Sequence, residues 1–298
     1  LETYEAGEKD FGLLRIAVGS EDVERRFEQR AWRFGVMAAM LAIALGTGIA
    51  LLWRSVQAEV AQAQRAENFV AAVTHELRTP LSSIKLHGEM LLEGWAQEPA
   101  KQQEYYRRIV RETGRLSTLV ERVLEKARLT AGPPPPIVGD LSRLVGDAAS
   151  QLEREGDGER PDLALDLAAD LPPVLLTAEA VQSIVTNLVE NARKYAPVDL
   201  AAPQAEPIRV VTRRERDHVV LEVLDRGPGV PPQERERIFD AFYRVGNEAT
   251  RTARGTGLGL HLVALHARAL GAKAEALERP GGGSIFRVTF RTAPPPAA

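Results

Sequence analysis

Phe34 to Trp53, FGVMAAMLAIALGTGIALLW, is a run of 20 residues without a charge. As a helix it covers roughly 30 Å, about the hydrocarbon thickness of a bilayer. Arg33 and Arg54 bracket it, and Trp32 and Trp53 stand where interfacial aromatics belong. The alternative is a buried core helix, but so long an uncharged run is uncommon in soluble folds. The expectation is one transmembrane helix over 34–53. It separates a short flank from a long C-terminal part, and each must find its own core.

The flank, residues 1–33, is too short to be a domain alone. FGLLRIAVGS reads as a strand, and EDVERRFEQRAWR as a polar helix leading into the membrane. The chain opens on Leu1 rather than Met, so it is expected to lack upstream sequence, and the flank to be the end of an incomplete sensor region.

Past Trp53, Val56, Ala63, Val70, Leu77, Ile84 and Leu91 recur every seven residues, the spacing of a bundle seam. Gly94 to Pro99 is a turn. A second helix is predicted over 101–130, with Ile109, Leu116, Leu119, Val123 and Leu124 as apolar positions. A hairpin with one apolar face, here 54–132, cannot bury that face alone. Two copies forming a dimeric four-helix bundle is the economical solution. Gly132 and the prolines at 133–136 end the helix and make a semi-rigid linker.

From 137 to 292 helices and strands alternate. Helices are predicted over 141–155, 178–195 and 259–270, and strands over 161–167, 208–213, 218–224, 273–277 and 284–290. That pattern is an α/β two-layer sandwich. Residues 293–298 read as a disordered tail. The net charge of -3 and the lack of a basic stripe exclude the usual nucleic-acid partner, and the lack of cysteines excludes thiolate chemistry.

The chemistry concentrates in FVAAVTHELRTPLSSIK. His75 lies two residues from Leu77 of the seam, about 200° around the helix, so it faces solvent. A neutral imidazole is a competent nucleophile near pH 7. Glu76 can hold the proton of the other ring nitrogen. Pro80 removes a backbone donor and should bend the helix beside His75. His87, His218, His261 and His266 lack this setting and read as ordinary exposed histidines.

A second set of signals lies downstream. In NLVENARKY, Asn187 and Asn191 share a helix face, where amide oxygens can join phosphates around Mg²⁺. Lys194 adds a point charge. In LEVLDRGPGV a hydrophobic strand runs into Asp225, Gly227 and Gly229; a carboxylate there can accept from an adenine amino group. IFDAFYRV follows, with Phe239 and Phe242 set to pack beneath a loop and Arg244 beside them. GTGLGL then places Gly255, Thr256, Gly257, Leu258 and Gly259 at a helix N-terminus, which favours a polyphosphate. Arg251 and Arg254 can clamp it. No Gly-Lys-Ser/Thr follows, so this is not a P-loop, and the element order is not that of a dinucleotide fold.

His-Glu-Leu-Arg-Thr-Pro at 75–80, after Phe69, resembles the phosphoacceptor box of bacterial two-component sensor histidine kinases. The downstream pieces resemble, in order, the N, G1, F and G2 boxes of the GHKL (Bergerat-type) ATP-binding fold, and GGGSIFRVTF its closing strand. The resemblance runs from about Phe69 to Phe290. It implies autophosphorylation of His75 from ATP with Glu76 as base. It implies Thr79 as the positioner of a water for dephosphorylating the partner. It implies Asn191 as the main Mg²⁺ ligand, Asp225 as the adenine reader and Tyr195 near the base. Transfer to a receiver-domain aspartate of a response regulator follows from the same resemblance, as do a homodimer and a cytoplasmic-membrane location with the kinase portion inside. Two features depart from the family. Thr177 stands where an Asp is usual, though threonine is a good N-cap. Only 22 positions separate Trp53 from His75, too few for a HAMP relay, so the membrane helix should run almost directly into the phosphoacceptor helix.

Topology sets two arguments against each other. Arg25, Arg26, Arg30 and Arg33 precede the apolar run and only Arg54 and Arg65 follow it closely, which puts the N-terminal flank inside by charge. Access to ATP demands the opposite. Two other readings stay open: a GHKL ATPase, and a non-catalytic membrane-tethered dimerisation module. The hydrolysing relatives carry a glutamate base one turn before the Mg²⁺ asparagine, where this chain has Asn187.

Overall fold

The computed structural model describes residues 20–155, 163–196, 206–245 and 256–293. It divides into two compact units, Leu1–Glu67 and Asn68–Ala298.

The described part of the first unit is helical and belongs to α1, Ser20–Leu92. Among the described residues this is the one helix long and apolar enough to cross a membrane. Its most apolar 18-residue stretch has a mean hydropathy of 2.2 and none of it is buried. The strand expected in FGLLRIAVGS falls outside the described residues but for Ser20, which is helical.

In the second unit, α1 continues through Pro80 to Leu92. Gly94 turns the chain with a φ of +71°, which a side chain rarely tolerates. Helix α2 then runs over Pro99–Ala131, with proline in its first turn, where no N–H is missed. Gln102 Nε2 donates to the Ala96 carbonyl at 2.9 Å and fastens the turn. His87 meets the Tyr105 ring edge-on at 5.2 Å. Val70, Leu81, Leu86, Val110, Val120 and Leu124 remain exposed, so the hairpin does not bury its apolar residues by itself.

The remainder is built from β1 (Ile137–Gly139), α3 (Leu141–Glu155), β2 (Leu163–Leu167), β3 (Val174–Leu176), α4 (Ala178–Tyr195), β4 (Ile208–Glu215), β5 (His218–Leu224), α5 (Gly259–Ala269), β6 (Lys273–Glu278) and β7 (Ser284–Arg291). Two 3₁₀ turns, Pro232–Glu234 and Arg237–Phe239, follow β5. Five strands form one mixed sheet in the order β2-β4-β5-β7-β6, with only β2 and β4 parallel. β1 and β3 pair separately.

The core follows the two periodicities. Val181, Ile184, Val185 and Leu188 form the inner stripe of α4, and Val145, Ala148 and Leu152 that of α3. From the sheet, Val223 sits between Val210 on β4 and Phe286 on β7, and all three are buried. Every predicted helix and strand of this region is present, with ends moved by a residue or two. β1 and β3 were not expected: three residues are too short to show a period.

Thr177 caps α4, its Oγ1 accepting from Ala180 N at 3.2 Å. Thr177→Ala should cost about 1 kcal/mol. In a domain of this size that lowers Tm by roughly 2–4 °C in a thermal melt, with secondary structure unchanged at 20 °C.

Candidate functional site

α4, the ends of β5 and β7, the turns after β5 and the start of α5 enclose a cavity of about 630 Å³. Its two ends have opposite chemistry.

At one end sits Asp225, which continues β5 and is only 4% exposed. Its Oδ1 accepts from Gly227 N at 2.7 Å and Ser284 N at 3.2 Å. Its Oδ2 takes no hydrogen bond from the described residues. Burial pushes the carboxyl above the ordinary carboxylate range; the two N–H donors and the Arg279 charge pull it back only in part. The surrounding backbone is close-packed. Gly283 has a φ of +104°, and a β-carbon there would lie 2.0 Å from the Asp225 carbonyl oxygen. Arg279 Nη1 donates to that same carbonyl at 3.0 Å. Glu206 ties Arg279 to Arg226, at 2.7 and 2.9 Å. Sequence reasoning missed this arginine–glutamate–arginine clasp, whose bonds from Glu206 span 20 positions to Arg226 and 73 to Arg279. Gly227 supports the carboxylate rather than lining the cavity, while Gly229 lines it with a φ of +77°.

The other end is formed by α4 and α5. Asn187 and Asn191 both line the cavity, but they differ. Asn187 is buried; its Nδ2 donates to the Ser183 carbonyl and hydroxyl at 2.9 and 3.2 Å. A β-carbon on Gly259 would lie 2.8 Å from its Oδ1, so α5 starts against this amide. The Asn191 side chain makes no hydrogen bond to the described residues. Thr256, Gly257 and Gly259 bring the N-terminus of α5, with its partial positive charge, to this end, and Arg244 lies there too. Farther along α4, Lys194 Nζ donates to the Tyr195 hydroxyl at 2.9 Å and both line the wall, but here α4 has reached the Asp225 end, with the Tyr195 carbonyl 3.2 Å from where a β-carbon on Gly227 would lie.

Besides Gly227, two more candidate residues of these motifs do not line the cavity. Phe242, with a φ of +63°, donates its N–H to the Gly257 carbonyl at 3.1 Å but turns its ring onto Phe69 of α1, at 5.3 Å between centroids. Leu258 is fully buried, because the residue before α5 plugs the core beneath the loop. Arg251, Arg254 and Gly255 lie outside the described residues.

His75, Glu76 and Thr79 are on α1 and do not line the cavity. His75 is 70% exposed, as its helical phase requires. Its Nδ1 stands 4.0 Å from Glu76 Oε1, just beyond hydrogen-bond length. Thr79 Oγ1 is 3.5 Å from the His75 carbonyl.

The hairpin also touches the cavity's back wall. Glu125 of α2 accepts from Ser183 Oγ at 2.6 Å and from His266 Nε2 at 2.7 Å. Burial raises this carboxyl, but the bonds from His266 and Ser183, with the charges of His266 and Arg122, more than offset it and leave it below its ordinary value. Lys126 lies 3.2 Å above the Phe69 ring, and its burial lowers its pKa. His266 is thus 4% exposed, not an ordinary surface histidine. The signal was there: Leu262, Val263, His266 and Ala267 form one helical stripe, which faces inward. His261 is half-buried too, its Nδ1 3.0 Å from the Phe239 carbonyl.

Comparison with known proteins agrees with this geometry. Residues 65–132 match the family model of the His Kinase A (phospho-acceptor) domain. Residues 177–294 match that of the histidine kinase-, DNA gyrase B- and HSP90-like ATPases. The probable sensor histidine kinase TcrY of Mycobacterium tuberculosis is 35% identical over 72% of this chain and 43% of its own length. The chain spans about half the length of the curated relatives it matches. Among solved structures, full-length ShkA in complex with AMPPNP is 26% identical, with a TM-score of 0.52 over 78% of this chain and 47% of that one. Histidine kinase ThkA in complex with the response regulator protein TrrA shares the fold, with a TM-score of 0.58 and 19% identity over 78% of this chain and 64% of that one.

The raised pKa of Asp225 has a consequence for stability. The folded form holds its proton to higher pH than the unfolded chain does. The group's contribution to stability is therefore fully present below the unfolded pKa and is lost as pH rises through the folded one. Asp225→Asn keeps an oxygen for Gly227 and Ser284 but removes the buried charge. It should raise the Tm at pH 7, and the gain should shrink as pH falls toward 4 in parallel melts.

Proposed function

Because the chain belongs to the sensor histidine kinases of two-component systems, we propose that it transfers the γ-phosphoryl group of ATP to His75 and from there to an aspartate of a response regulator. The polarity of the cavity carries this reading. At one end Asp225 Oδ2 is a buried acceptor with no hydrogen bond from the described residues, suited to the adenine amino group. At the other, Asn191 and the N-terminus of α5 suit a polyphosphate.

The residues fit a nucleotide-borne Mg²⁺. Among the described residues there is no cluster of three or more His, Cys, Asp or Glu that could hold a metal by itself. Asn191 would contribute an amide oxygen to the Mg²⁺. When bound, the metal would neutralise charge on the phosphates.

His75 attacks through an unprotonated ring nitrogen. The nitrogen–phosphorus bond forms as the bond to the β-γ bridging oxygen breaks, and ADP leaves. The proton on the other nitrogen passes to Glu76, for which a small rotamer change closes the 4.0 Å gap. The acceptor is the receiver domain of a response regulator, the class of protein bound in the ThkA complex. Thr79, four residues on, orients a water that hydrolyses the partner's aspartyl phosphate, releasing inorganic phosphate. The exposed apolar residues of the hairpin support a homodimer through a four-helix bundle. The apolar part of α1 supports anchoring in the cytoplasmic membrane, with His75 inside.

An ATPase is the weaker reading. Water activation needs a free carboxylate one turn before Asn191. That position holds Asn187, an amide pinned by Ser183. The neighbouring Glu190 is ion-paired with Arg122.

The full chain incubated with γ-labelled ATP should acquire acid-labile, base-stable phosphate, and His75→Gln should reduce it to background. Labelling that persists in His75→Gln would contradict the assignment.

A further inference from the structure

Arg122 belongs to the hairpin, yet it lines the cavity of the nucleotide domain. It stands on α2 one turn before Glu125 and Lys126, so the contact at Glu125 sets its position. The side chain is 22% exposed, and Nη2 reaches Glu190 Oε2 at 2.6 Å. Glu190 also lines the cavity, next to Asn191 and one turn after Asn187, whose amide meets the start of α5, so the pair belongs to the part of the wall where α4 and α5 meet. A guanidinium carries five N–H donors. Only one bond to the described residues is made here; Nε and Nη1 make none.

We infer that Arg122 is a polyphosphate contact of the nucleotide site, supplied by the phosphoacceptor hairpin, and that Glu190 is the anion it exchanges for phosphate. The inference rests on the nucleotide reading above. The physical reason is competition. Glu190 offers one carboxylate, itself half-exposed, whereas the bound polyphosphate and its oxygens offer several negative charges in a less hydrated site. A planar guanidinium favours the partner that can take two of its donors at once. When the exchange occurs, a residue of α2 is held by the nucleotide, so binding of ATP is felt by the helix packed beside His75's own. Neither Asn191 nor Lys194 can do this, because both belong to α4.

The full-length protein in detergent micelles is titrated with ATP·Mg²⁺ and, separately, with adenosine by competition. Arg122→Gln should weaken ATP about tenfold, the equivalent of one charge-assisted bond, and leave adenosine within about twofold. Arg122→Lys should recover part of the loss. Glu190→Gln, which frees the guanidinium from its rival, should tighten ATP about threefold; the double variant should match Arg122→Gln. Far-ultraviolet circular dichroism and melting confirm that each variant folds. Equal losses for ATP and adenosine, no loss at all, or weaker ATP binding in Glu190→Gln would overturn the inference while leaving the nucleotide reading intact. A wild-type protein that binds neither ligand would overturn both.

Discussion

One carboxylate joins the two halves of the second unit. Glu125 leaves α2 to accept a hydroxyl from α4 and an imidazole N–H from α5. Through Ser183 the connection extends to Asn187, and Asn187 in turn meets the first residue of α5. The cavity wall and the hairpin therefore share one hydrogen-bonded chain. Removing one partner of such a chain strands the others in a buried place, which is costly, so the members act together. The positions of Arg122 and Lys126 depend on this contact, because they flank it on α2, and Lys126 in turn lies over the Phe69 ring of α1.

A second constraint shapes the far end of the cavity. Asp225 is not simply exposed at a strand end. Its backbone is hemmed in by Gly283 and Arg279, and one of its two oxygens is fully used by N–H donors. What remains is a single acceptor aimed by rigid surroundings. The opposite end is built differently: an amide on α4 with no side-chain hydrogen bond to the described residues, a helix terminus and long-chain cations suit charge rather than shape. Recognition of a base and tolerance of a flexible polyphosphate follow from those two constructions.

Much of this was legible in the residues. The uncharged run, the seam of α1 and the alternating helices and strands announced themselves by period, because burial on one face imposes it. His75 was placed outward by its offset from Leu77, and it is exposed. The glycine runs marked the turns. What sequence did not reveal were contacts between distant segments: Arg122 with Glu190, Glu125 with His266, and the clasp of Glu206 with Arg226 and Arg279. Nothing local distinguishes a surface carboxylate from one that meets a partner 141 positions away. Phe242 and Leu258 were misplaced for a related reason. Membership in a motif located them near the cavity, but their apolar side chains turned to the apolar surfaces available, Phe69 and the core.

The central claim is that the cavity is a nucleotide site whose polyphosphate end is shared with the hairpin. Hydrogen–deuterium exchange of the full chain with and without ATP·Mg²⁺ tests it most directly. The account predicts slower exchange at 187–195, 225–230 and 256–262, together with a change at 119–126, and none in the core of β5. Protection confined to other segments, or no change at any of these, would contradict it.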